Sequence, residues 1–177
     1  MNLSLPVAEI RRCASDPEFI SAVAGVFAET DAIIADHSPV CTNRSLCCHF
    51  DAYDHRLYVT STELAYFLSG FSDDLLSPEN DGYCPYQVGG RCTARQHRPL
   101  GCRVFFCDPD SQSWQPGLTE SMLIRLRAIG KAHDLPEVYA DWTASLRELG
   151  GRIQLPDDSA QPAAAVSLSI DTPATRS

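Results

Sequence analysis

Between Asp16 and Ser38 the apolar residues Phe19, Ile20, Val23, Phe27, Ile33 and Ile34 return at close to helical spacing, which gathers them on one side of an α-helix. Asp16-Pro17-Glu18 supplies its start, with a capping side chain, a proline at the first helical position and an acid in the first turn. Ser38-Pro39 supplies its stop, so the pattern predicts a helix over 17–36. A shorter helix is predicted over 61–69. There Thr60 and Glu63 stand at capping-box spacing, Leu64, Ala65, Phe67 and Leu68 follow, and Gly70 closes the run. Just before it, Asp54-His55-Arg56 reads as a turn and Leu57 to Val59 as a short strand. Thr119 reads as the cap of a third helix through Met122, Leu123, Leu126 and Ile129, ending near Gly130. Leu135-Pro136-Glu137 opens a fourth through Tyr139, Trp142, Leu146 and Leu149, stopped by Gly150-Gly151. Met122, Tyr139 and Trp142 fall on the apolar stripes and are expected in the core.

Two stretches show no sustained period. Residues 39–54 form one, and residues 71–117 form the other, broken by ten prolines and glycines from Pro78 to Gly117. A loop that long is unusual in a small domain unless something local orders it. The predicted fold is mostly α, a small helical domain with long irregular cysteine-rich metal-binding loops and room for one short β-hairpin. Residues 1–155 are expected to form one domain. Residues 156–177 are rich in Ser, Ala, Pro and Asp without aromatics, and read as a mobile tail.

Charge alters the picture locally. The chain has a formal net charge of -9, which argues against general nucleic-acid binding. Yet Arg91, Arg95, Arg98 and Arg103 lie between Cys84 and Cys107, a segment with no Asp or Glu. Those guanidiniums either offset negative charge at a thiolate centre or face a pocket and fix an anionic ligand. Arg98 and Arg103, flanking Pro99 and Cys102, are the best candidates to hold a cofactor or anion. The partner expected is accordingly an unidentified protein or a small anionic ligand. No basic region precedes an apolar segment at the N-terminus and no run reaches membrane-spanning length, so a cytoplasmic location without membrane association is expected.

Thiols dominate the candidate chemistry. Seven of the eight cysteines, Cys41, Cys47, Cys48, Cys84, Cys92, Cys102 and Cys107, fall in the two irregular stretches. In a reducing compartment such a set reads first as metal ligands, secondly as reactive or regulatory disulfides, and only then as buried thiols. The spacings Cys41-x5-Cys47-Cys48, Cys84-x7-Cys92 and Cys102-x4-Cys107 match neither paired zinc-finger motifs nor the bacterial ferredoxin run. Adjacent Cys47 and Cys48 have diverging Cβ atoms in regular backbone, which makes joint ligation of one ion awkward. Cys13, far from this set, is expected to be inert.

Taken together, Cys41-Thr-Asn-Arg44-Ser45-Leu-Cys47-Cys48, Cys84 in CPY, Cys92 in GGRC and Arg98-Pro99-Leu-Gly-Cys102-Arg103-Val-Phe105-Phe-Cys107 resemble a bacterial family of zinc- or iron-chelating cysteine-cluster proteins. That family's pattern is about C-x2-C-G-x-C-C followed by separated cysteines and an R-P-x2-C-R-x-F-x-C block. The resemblance covers about residues 41–107. It implies metal binding by the seven cysteines, with Arg44 and Ser45 replacing one family cysteine and its glycine, a loss that either reduces the metal bound or is compensated by His49, His97 or His37. The expected function is iron–sulfur cluster binding, with a [4Fe-4S] cluster serving redox chemistry or an enzyme acting on an anionic substrate. The alternative is zinc in a binding or scaffold module, or in a metal-handling protein. No phosphate loop, G-x-S-x-G, H-E-x-x-H or dinucleotide signature is present, so catalytic residues are unassigned.

Overall fold

The computed structural model describes residues 4–41 and 46–154. The sequence expectations for Arg44, Ser45 and the tail 156–177 lie outside the described residues.

Helix α1 (Val7–Ala14), which the pattern did not predict, is followed at once by α2 (Pro17–His37). The start of α2 is the one expected: the Asp16 carboxylate accepts from the N–H groups of Glu18 and Phe19, at 2.9 and 3.4 Å. Strand β1 (Tyr58–Thr60) leads straight into α3 (Ser61–Phe71), where Thr60 and Glu63 form the full capping box. Gly70 does not end α3, which runs one residue past it.

The stretch from 71 to 117 holds more regular structure than its breakers suggest. It contains β2 (Leu76–Pro78), a hairpin of β3 (Gln87–Val88) and β4 (Arg91–Cys92), the short helix α4 (Leu100–Val104) and a 3₁₀ turn at Pro109–Ser113. Gly89 and Gly90 make the hairpin turn with φ of 56° and 75°, a region that side chains with a Cβ enter at a cost. Helix α5 (Gln115–Ala132) begins before Thr119, whose hydroxyl bonds back to the Gln115 carbonyl instead of capping.

The fourth predicted helix is corrected most. Residues 139–141 form strand β5 (Tyr139–Asp141), antiparallel to β1 with Tyr58 opposite Asp141, and α6 (Trp142–Glu148) starts only afterwards. Pro136 lacks an N–H and Ser61 Oγ donates to its carbonyl at 2.7 Å, so tertiary bonds hold this segment extended. Tyr139 is consequently 53% exposed, against the core expectation, whereas Trp142 and Met122 are buried. Strand β6 (Arg152–Gln154) pairs in parallel with β2.

The described residues are mostly helical with three two-stranded sheets. Helices α1, α2 and α5 surround α3, whose residues Ser61 to Leu68 are all buried. Phe67 sits at the centre, with ring centroids 4.7 Å from Phe71, 4.9 Å from Tyr86 and 4.7 Å from Trp142. Among the described residues the predicted cysteine-rich metal-binding loops are not found. Those segments are instead ordered by the hairpin, by α4 packing on α2 and α5, and by backbone bonds such as Cys84 N–H to the Cys48 carbonyl at 2.8 Å.

Gly151 shows how tightly β2 and β6 meet. A Cβ there would stand 2.8 Å from the Leu76 carbonyl carbon and the Ser77 nitrogen, both backbone atoms that cannot swing aside. Gly151→Ala is expected to lose about 1–3 kcal/mol of stability through this overpacking, read as a lower midpoint in urea unfolding. An unchanged midpoint would show that the strand pair absorbs the methyl group.

Candidate functional site

A 3₁₀ turn at Leu46–Cys48 presents the adjacent cysteines. The tight turn overrides the divergence expected of regular backbone, and the Cys47 and Cys48 sulfurs lie 3.9 Å apart. Cys84 is tied to Cys48 through the backbone, its N–H donating to the Cys48 carbonyl at 2.8 Å, and the two thiols influence one another's acidity. The three sulfurs therefore run as a chain from exposed Cys47, through half-buried Cys48, to buried Cys84.

Their acidities separate for a clear reason. The Cys48 thiol keeps its proton between two flanking sulfurs and is pushed far up by those hydrogen bonds and by burial. Cys47 receives the benefit: the Cys48 hydrogen bond, its own backbone N–H and the Arg98 charge outweigh burial and pull it down to about 6. The thiolate form of Cys47 is thereby favoured over that of an ordinary thiol. Cys84 is also lowered, first by Cys48, then by the Tyr86 backbone N–H and the Trp142 indole. Trp142 Nε1 is buried with no hydrogen bond of ordinary geometry, so its effect on Cys84 is that of a nearby dipole.

Beside Cys47 opens a cleft of about 510 Å³ walled by Tyr53, Leu57, Tyr58, Phe105 and Tyr139, with Cys102 and Cys107 along it. Tyr58 and Tyr139 stack across the β1–β5 pair with centroids 5.6 Å apart. Tyr58, Phe105 and Tyr139 are each about half exposed. His55 and Arg56 form the polar edge: His55 Nε2 lies 3.3 Å from the Cys47 carbonyl, and Arg56 donates to the Asp81 carbonyl at 2.8 Å.

The remaining predicted residues come from several different elements. Cys41 is exposed just past α2, Cys92 is half-buried on β4, Cys102 is half-buried on α4, and Cys107 is exposed in the following loop. Burial and neighbouring thiolates push Cys102 well up; Cys92 is raised chiefly by burial. His97 packs among Tyr66 and Phe71 and is lowered by that burial. His37 stacks on Trp114 with centroids 4.5 Å apart. Buried Cys13 is raised by desolvation, as suits an inert thiol.

This arrangement corrects the metal expectation. Among the described residues no group of three or more His, Cys, Asp or Glu is placed to hold a metal ion. The seven cysteines Cys41, Cys47, Cys48, Cys84, Cys92, Cys102 and Cys107 do not form the ligand set required for the expected [4Fe-4S] cluster or for its zinc alternative. The cysteines come from separate elements, and tetrahedral ligation demands that four donors meet at one point. The iron–sulfur, zinc-scaffold and metal-handling functions lose their basis with it.

Arg98 and Arg103 are not on the thiol chain itself. Arg103 is 3% exposed and fully engaged: its Nε donates to the Arg98 carbonyl, one terminal nitrogen to Asp31 at 2.6 Å and the other to the Gln96 carbonyl, and its guanidinium lies 4.3 Å from the Phe27 ring centroid. It fastens the 96–103 segment to α2. Sequence reasoning missed the aromatic wall, because only the β1–β5 pairing brings Tyr58 and Tyr139 together.

Compared with known proteins, the chain matches no family model, no curated protein and no solved structure. The cysteine-cluster resemblance therefore finds support neither in the comparisons nor in the geometry.

Proposed function

We propose that the protein is a thiol–disulfide exchange protein in which Cys47 is the attacking thiolate. The observation that carries this is the sulfur chain Cys47, Cys48, Cys84, which joins an exposed end beside an apolar cleft to a buried end. A metal is not required for this chemistry, only a nucleophile, a proton store and a resolving thiol.

The substrate is a disulfide RSSR whose apolar flank rests on Tyr58, Phe105 and Tyr139. Cys47 thiolate attacks one substrate sulfur, the S–S bond breaks, and RS⁻ leaves with the mixed disulfide formed on Cys47. Cys48 then attacks the Cys47 sulfur, its proton passing to the departing substrate sulfur, so that the second half of the substrate leaves as RSH. Cys84 attacks Cys48 in turn, its proton passing to the freed Cys47 sulfur, and leaves a Cys48–Cys84 disulfide. Two electrons pass from the protein to the substrate, and two thiols of substrate are released. The final bond is the favourable one, since the Cys84 N–H to Cys48 carbonyl contact holds the two residues as close as paired strands, whereas a bond between adjacent cysteines closes a strained ring.

Two readouts on the reduced full chain test this. Iodoacetamide should modify Cys47 first, with a rate that rises through about pH 6, far below the range of an ordinary thiol. Oxidised glutathione should yield the Cys48–Cys84 disulfide by peptide mass mapping. Cys47→Ser is expected to slow that product at least about tenfold, and Cys84→Ser to stop the reaction at the Cys47–Cys48 disulfide. If Cys47 alkylates no faster than Cys41 and no internal disulfide forms, the proposal fails.

A further inference from the structure

A second cleft lies on the other side of Arg98. It has a volume of about 590 Å³ and is bounded by the end of α2 and by the segment from Arg95 to Phe106. Three guanidiniums border it, those of Arg95, Arg98 and Arg103, together with the carboxylate of Asp31. Arg103 and Asp31 satisfy one another in their 2.6 Å ion pair. Arg95 and Arg98 have no such ion pair with a carboxylate lining the cleft, so the cleft is left with net positive charge, offset at Arg98 only by more distant groups such as Cys47. Arg98 Nε is moreover buried without a hydrogen-bond partner among the described residues. A buried donor left unbonded costs about 1–3 kcal/mol and calls for an explanation.

From this geometry we infer that the cleft binds a small organic phosphomonoester, its dianionic head held by Arg98 and Arg95 and its body against Ile34 and Phe106. The charge matches, since a phosphomonoester carries close to two negative charges at neutral pH and guanidiniums grip its oxygens in pairs. The size matches a site for a small molecule. One feature opposes an anion: the carbonyl end of α2 faces this cleft. Its last carbonyls are already engaged, however, with Ser38 N–H bonded to Ile34 and Ala35 and the Ser38 hydroxyl bonded to Ala35 at 3.0 Å.

Phenyl phosphate titrated into the full chain by calorimetry tests the inference, with inorganic phosphate and phenol as the two halves of the probe. Phenyl phosphate should bind saturably and more tightly than inorganic phosphate, and phenol should not bind. Arg98→Met should weaken binding at least about tenfold, Arg98→Lys should recover part of the loss, and affinity should fall with salt. Because Arg98→Met also touches packed structure, its thermal melt is recorded, and rim-exposed Arg95→Met provides an independent variant expected to weaken binding about threefold or more. No saturable binding at millimolar concentration, or equal affinity in wild type and both methionine variants, overturns the site. Equal affinity for inorganic phosphate overturns the organic part of the assignment. None of these readouts depends on Cys47, so the outcome is separate from that of the exchange chemistry.

Discussion

Trp142→Ala is expected to lower stability by about 3–5 kcal/mol, the range for removing a buried large aromatic. Trp142 heads the fully buried side chains by volume and meets Phe67 edge-on at 4.7 Å. Tyr86 lies 6.4 Å from it and itself touches Phe67 at 4.9 Å. These rings form the floor on which Cys84 rests, so the loss is not confined to an empty volume. Trp142→Phe should recover more than half of the loss, because it restores most of the buried surface and the edge-on contact. Chemical denaturation followed by far-ultraviolet circular dichroism reads both values. A loss below about 1 kcal/mol for the alanine variant would mean that the rings do not pack as described.

Glu63→Ala is the second large effect expected, again about 3–5 kcal/mol. Its carboxylate is 2% exposed and accepts three hydrogen bonds: from Thr60 N–H and Thr60 hydroxyl, each at 2.7 Å, and from Leu100 N–H at 2.9 Å. Removing it leaves two backbone donors unbonded in the interior. Burial is the largest influence on this group and raises its pKa above the ordinary 4.5; the three hydrogen bonds and the Arg127 charge oppose that rise without cancelling it. The sign follows from linkage. Between the unfolded and folded values the native chain binds more protons than the unfolded chain, so this residue's contribution to stability falls as pH rises from 4.5 through the raised value and then levels off. Glu63→Gln should erase that slope while leaving the chain less stable, since the amide places a donor where only donors arrive. A slope that persists in Glu63→Gln would assign it to another group.

Local rules were legible in the sequence, and contacts between distant residues were not. Asp16-Pro17 and the Thr60–Glu63 box are complete within a few positions, and both act as their spacing predicts. The same box concealed its third partner, because Leu100 is remote in sequence. Leu135 to Leu149 carries a helical stripe, yet Pro136 and the bond from Ser61 hold its first part extended and turn Tyr139 outward. Helix α1 is only eight residues long, too short for its period to stand out. At the site, composition identified the thiols but not their arrangement. Cysteine spacing says how cheaply a chain can bring sulfurs together, and the 3₁₀ turn and the Cys48–Cys84 backbone bond decided that they form a line.

Both pairings that close the molecule join residues far apart in sequence. Tyr58 meets Asp141 and Leu76 meets Arg152, so neither sheet can exist until nearly all of the described chain is available. During synthesis the segment carrying Cys84, Cys92, Cys102 and Cys107 must therefore wait, unprotected by its eventual neighbours, while α5 and α6 are still being made. Premature oxidation in that interval would link the wrong sulfurs, which ties the yield of correctly assembled protein to the reducing power of the medium in which it is produced.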